Sequence, residues 1–246
     1  MAWLSAFLTG VVLTLMSPGA AVSSELYDAA LAGDIEAVRS LIASGASVSE
    51  QGELGTPLHV AALRGDLAIA EILIAKGADI EAPKGASSTR PLHEAASNGN
   101  LEVVKLLIAK GARIDARDDG GSSPLVKATQ GRHVNVVKAL LDLGADVNAA
   151  NMRHATSLHL ALNNRQRDLA VQLIERGADP ARHGRYGDTP LHWAAASGML
   201  DVIQLLVEHG ADVKARNAIG ITPLAMALDK KELEAADLLR RVGATE

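Results

Sequence analysis

The side chains best suited to chemistry in this sequence of 246 residues are eight histidines and 29 carboxylates, because cysteine is absent. Without thiols, disulfide scaffolds, zinc fingers, haem attachment and thiol catalysis are excluded. Histidine-based metal binding needs imidazoles at short spacing on one element. His59, His93, His159 and His192 instead fall 34, 66 and 33 residues apart, and no two of His133, His154, His183 and His209 make a short metal-binding spacing. There is no Gly-x-Ser-x-Gly elbow, phosphate loop or His-Glu-x-x-His. Gly120-Gly121 before Ser122-Ser123 lacks the Lys-Ser/Thr of a phosphate cradle and reads as a turn. The carboxylates are those of solvated helix faces and turns. A chain without catalysis, cofactor or metal is expected.

The elements that position these residues leave their mark in the composition. Hydrophobic residues make up 48% and charged residues 22%, which argues for a folded chain. With 24 basic against 29 acidic side chains the net charge is -5, which argues against general affinity for nucleic acid. Aromatic residues make up only 2%, too few bulky fillers for one large globular core.

Self-similarity supplies the alternative. Thr56-Pro57-Leu58-His59 recurs as Arg90-Pro91-Leu92-His93, Ser123-Pro124-Leu125-Val126, Thr156-Ser157-Leu158-His159, Thr189-Pro190-Leu191-His192 and Thr222-Pro223-Leu224-Ala225, at steps of 34, 33, 33, 33 and 33. A second marker in phase, Gly-Ala, starts at Gly45, Gly77, Gly111, Gly144, Gly177, Gly210 and Gly243. Within one unit, Thr56 is suited to cap a helix and Pro57 to begin it. Ala61 and Ala62 keep that helix thin, and Gly65 stops it. Ile69, Ile72 and Leu73 then line one face of a second helix that Gly77 ends. About ten residues rich in turn formers follow, too few for a third helix and right for a projecting hairpin or loop. Such a pair buries its apolar face only by stacking on like neighbours, which removes the need for aromatic fillers.

These motifs resemble the ankyrin repeat, and Gly144-Ala145-Asp146-Val147-Asn148 matches the end of that repeat in full. The resemblance implies an all-α repeat solenoid of helix-turn-helix units joined by interrepeat hairpin loops. Six units start near residues 51, 85, 118, 151, 184 and 217, after a partial N-terminal cap over 24–50. Glu25, Asp28, Asp34 and Glu36 suit a solvated first cap; Asp229, Lys230, Lys231, Glu232 and Glu234 suit the last. The resemblance also gives the four in-phase histidines a structural role, hydrogen bonding the helix start and adjoining loop. Val126 and an early Gly131 mark the third unit; Ser157 in place of proline and Arg165 in place of the inter-helix glycine mark the fourth. Local distortion is expected at 130–132 and 163–167.

Residues 1–23 read as a signal peptide, with an uncharged apolar run from Trp3 to Met16, a break at Ser17-Pro18-Gly19, and cleavage near 21–24. A periplasmic or secreted location is therefore expected, with a membrane anchor formed by an uncleaved leader as the alternative. Proteins similar to this one hold ligands by hairpin tips and the concave side of the first helices. Beyond the leader the rings are Tyr27, Tyr186 and Trp193, two of them in one unit. Tyr186 falls in a hairpin, and Trp193 fits either packing between adjacent helices or contact with a partner. Arg153, Arg182 and Arg185 fall in hairpins, and Arg165 and Arg167 follow a first helix. From Ser24 to Pro83 there are 3 basic and 10 acidic residues; from Lys84 to Arg216 there are 17 and 14. The expected function is that of a monomeric protein-binding module, a periplasmic scaffold or inhibitor. Tyr186, Trp193, Arg153, Arg165 and Arg185 would make an aromatic and basic site for an acidic protein surface. The alternatives are a secreted host-directed effector that binds a eukaryotic protein, and an accessory factor for an envelope or oxidative-stress enzyme.

Overall fold

In a computed structural model of the chain, residues 18–245 are described, and the expected leader up to Ser17 lies outside them. Seven first helices, α1 (Pro18–Ala32), α3 (Pro57–Arg64), α5 (Pro91–Ser97), α7 (Pro124–Gln130), α9 (Ser157–Asn163), α11 (Pro190–Ala196) and α13 (Pro223–Asp229), stack in one row. Seven second helices, α2 (Ile35–Ala43), α4 (Leu67–Ala75), α6 (Leu101–Ala109), α8 (Val134–Asp142), α10 (Arg167–Glu175), α12 (Leu200–Glu208) and α14 (Leu233–Arg241), form the other. The first helix of the cap begins at Pro18, upstream of the Ser24 expected from sequence.

One apolar cluster runs through the stack from Leu26 to Ala244. Its largest fully buried side chains are leucines and Ile69, with no ring among them. Small alanines at Ala61-Ala62, Ala95-Ala96 and Ala194-Ala195 are buried where first helices meet, so neighbouring backbones approach closely. Tyr27 serves the N-terminal cap: its hydroxyl accepts from the Leu54 N–H at 3.0 Å. A Cβ at Gly52 would stand 2.6 Å from its ring, so glycine there admits it.

Every inter-helix turn needs one residue in the left-handed region. Gly33, Gly65, Gly99 and Gly198 supply it in four units, and Arg132, Arg165 and Lys231 occupy the same register with φ of 61°, 54° and 61°. The distortion expected at 130–132 and 163–167 does not occur. Arg132 N–H and His133 N–H donate to the Thr129 and Ala128 carbonyls as Gly99 and Asn100 do to Ala96 and Ala95. The stack imposes the turn, and the non-glycine residue bears the backbone strain.

Short tips connect the units, closed by bridges at Gly52–Gly55 and Lys84–Thr89 and by single backbone bonds at Asp118–Ser122, Asn151–Ala155, Gly184–Asp188 and Asn217–Ile221. No strand forms among the described residues. Consecutive tips are tied in register: Asp119 N–H donates to Ser87 at 3.1 Å, Met152 to Gly120 at 2.8 Å, and Ala218 to Tyr186 at 3.0 Å. The corresponding bond from Arg185 to Arg153 is missing, so the row of tips parts between units four and five.

Candidate functional site: the cleft between units four and five

Glycine is what lets neighbouring five-residue tips meet. A Cβ at Gly121 would lie 3.0 Å from the Met152 nitrogen, and one at Gly187 would lie 2.7 Å from the Ala218 nitrogen, the two atoms that make the tip bonds. His154 occupies this position in unit four at φ 58°, so there a Cβ stands where the other five-residue tips have only a glycine hydrogen. Ser88 holds the position in unit two beside an intact bond, because that tip, Lys84–Thr89, is one residue longer.

A second change, in unit five, widens the gap. Asp118, Asn151 and Asn217 brace their tips by accepting from tip amides, Ser122 at 2.8 Å, Ala155 at 3.0 Å and Ile221 at 2.9 Å. Gly184 stands at that position with no side chain. The result is a cleft of about 300 Å³ lined by Arg153, His159, Leu160, Arg185, Tyr186 and Trp193.

His159 shows what the parting exposes. Each in-phase imidazole takes a proton-accepting role at Nδ1, towards the N–H of Thr56, Arg90, Thr156 or Thr189. The proton therefore sits on Nε2, which must donate. His59 reaches the Thr89 carbonyl at 3.1 Å, His93 the Ser122 carbonyl at 3.1 Å, and His192 the Ile221 carbonyl at 3.0 Å. His159 Nε2 makes no hydrogen bond of good geometry, although the residue is only 4% exposed and the Asp188 and Arg182 carbonyls lie beside it. A wholly unmet buried donor costs about 1–3 kcal/mol, and a poorly aligned one a part of that, which an acceptor entering the cleft would relieve. Burial pushes all four histidines below the ordinary imidazole range and keeps them neutral.

Four of the five residues singled out from sequence converge here. Tyr186 is 63% exposed, with the Arg185 guanidinium 5.6 Å from its ring centre. Trp193 does both things open to it: it is half-buried against the core, and it lines the cleft. Arg153 and Arg185 are exposed and have no carboxylate partner, unlike Arg113 with Glu81 at 2.8 Å or Arg176 with Asp142 at 2.6 Å. Arg165 does not join them, since it sits in the turn beyond α9 and does not line the cleft. Arg167 is held by Asp201 at 2.8 Å.

Sequence reasoning missed three contributors. Met152 and Ile219 are 72% and 78% exposed at the tips of units four and six, flanking Tyr186. Leu160 precedes Trp193 in the fourth position of the first helix. That position reads a fully buried Val60 in unit one, Glu94 and Lys127 in units two and three, then the partly exposed Leu160, Trp193 and Met226 in units four to six. Comparing equivalent positions along the repeat would have found the helix row and the His154 and Gly184 departures, whereas Met152 stands one tip position ahead of Tyr186 and Ile219. Among the described residues no cluster of histidine and carboxylates could hold a metal ion, and no helix is long and apolar enough to cross a membrane.

Stacked helix pairs with exposed tips define a solenoid of the interaction class. The sequence model of the family described as ankyrin repeats (3 copies) matches residues 26–118, 92–184 and 158–245, overlapping windows that together span 26 to 245. The chain belongs to the ankyrin-repeat family, a non-catalytic interaction fold whose members bind other proteins. A comparison with curated proteins returns no match.

Proposed function

We propose that this chain is a non-enzymatic binding module that holds a partner protein on the tips and first helices of units four to six. One observation carries this: apolar side chains are exposed on the tips of units four to six at Met152, Tyr186 and Ile219, and partly exposed beside them at Leu160, Trp193 and Met226, whereas Val60 at the same helix position in unit one is fully buried. Clustered apolar surface around an aromatic pair is the usual composition of a binding patch, and scattered leucines are not. The uncharged apolar leader supports export, so the module would work as a scaffold or inhibitor in the periplasm or outside the cell. N-terminal sequencing of the chain recovered from its native host checks the export: a chain starting at Met1 contradicts cleavage.

The binding surface is tested by placing a photo-crosslinking residue at Tyr186 or Ile219, and at Lys110 as a control, and irradiating native extracts. Adducts with one protein are expected at the first two positions and not at the third, and they should be lost when Trp193→Ala is added. Adducts confined to Lys110 would place the partner elsewhere.

A further inference from the structure

We infer that the cleft between units four and five receives an extended segment of the partner protein through a carboxylate side chain set beside an apolar one. This rests on the protein-binding reading of units four to six and goes further, because it names what the partner must present. Three independent features select that chemistry. Arg153 and Arg185 stand at the mouth without a carboxylate of their own, whereas Arg113, Arg167 and Arg176 each find one on a neighbouring unit. His159, whose buried Nε2–H lacks a well-aligned acceptor, lines the same space. Leu160 and Trp193 form an apolar wall beside these donors.

The cleft does contain one acid, Asp188. It is 8% exposed and tied to the Asn217 side-chain amide at 2.7 Å, and two guanidiniums outweigh it. The balance is thus one net positive charge surrounded by hydrogen-bond donors, which favours an anionic occupant over a cationic one. A carboxylate spanning from the guanidiniums towards His159 satisfies all three donors at once, and an adjacent Leu, Ile or Phe covers the Trp193 ring. An anion alone would leave that wall wet. A segment in extended conformation fits because the gap is a parting between two tips, narrow in one direction and open along the other.

Panning a displayed library of random dodecapeptides on the full chain tests this. Enriched sequences should carry Asp or Glu next to a large apolar residue. Synthetic copies should then change tryptophan emission in the chain bearing Trp3→Phe, where Trp193 is the one remaining tryptophan. Arg153→Glu with Arg185→Glu should weaken them at least tenfold, and Lys110→Glu should leave them unchanged. His154→Gly, which permits the missing tip bond, should also weaken binding by closing the cleft. In the nuclear magnetic resonance spectrum, the His159 Nε2 proton should move downfield when the peptide is added. Enrichment of basic or purely apolar peptides, no enrichment, or indifference to the charge reversal would overturn the inference. The Tyr186 and Ile219 crosslinks could still form in any of those cases, so the two readings fail separately.

Discussion

A buried imidazole recurs in four units of this stack, and in three of them its neutral ring joins the helix start to the next unit. His59, His93, His159 and His192 are held below their ordinary pKa first by desolvation. The unfolded chain takes up protons on these residues near pH 6.5 while the folded chain resists, so stability falls as pH drops below about 6.5. Thermal unfolding at pH 7.5 and 5.5 should show a lower Tm at the acid end, with the four ring signals still those of neutral imidazole at pH 6; a flat Tm would contradict the assignment. The left-handed turn residues give a second prediction at this scale. Arg165 adopts φ 54° where glycine serves elsewhere and has no partner to lose, so Arg165→Gly should stabilise the fold by about 1 kcal/mol. For a chain of this size that is roughly 2–4 °C in Tm, readable by calorimetry.

From α3 onwards each first helix opens on the same device, varied slightly from unit to unit. Where histidine is present, its Nδ1 accepts from the N-cap residue; where Val126 or Ala225 replaces it, the Ser123 or Thr222 hydroxyl accepts from that residue's own N–H, at 3.3 and 3.2 Å. Proline begins five of these helices, at 57, 91, 124, 190 and 223, and Ser157 begins α9. Ser157 Oγ is buried without a partner, and its N–H, at the first helical position, makes no bond that proline would break. Ser157→Pro should therefore raise stability by about 1 kcal/mol, through lower unfolded-state entropy and loss of an unmet hydroxyl. A lower urea midpoint for this variant would show that the hydroxyl serves the fold. Unit four holds three buried polar atoms without a well-formed hydrogen bond, Ser157 Oγ, His159 Nε2 and Gln166 Oε1. Its helices keep their regular lengths, and the irregularity falls on side chains.

At the scale of the molecule, stability is a chain of nearest-neighbour interfaces, and the weakest sets where the array opens. The tip bonds at Asp119, Met152 and Ala218 have no counterpart at Arg185, and α9 and α11 make the slightest interface between neighbouring first helices from α3 onwards. Amide hydrogen exchange should be fastest at Arg185 among these four positions. His154→Gly should slow it and raise Tm by relieving a left-handed histidine and restoring the bond. Equal protection at all four in the parent chain would remove the seam from the account.

The fold was legible from Thr-Pro-Leu-His and Gly-Ala because caps and left-handed turns are local, and a unit repeated at period 33 can only stack. Tyr186, Trp193, Arg153 and Arg185 were legible as candidates because rings are scarce and the hairpin positions are fixed by the period. Three outcomes depended on the assembled stack. Arg165 is separated from the others by the length of α9, the turn at Gln130–Arg132 stays regular because neighbouring units hold it, and His159 is left without a well-aligned acceptor although its own motif is intact. Sequence specifies each unit, since the bonds that shape a unit lie within its own residues. Tertiary structure alone decides the cleft, because a histidine Cβ in one tip and a missing side chain in the next matter only where the two units meet.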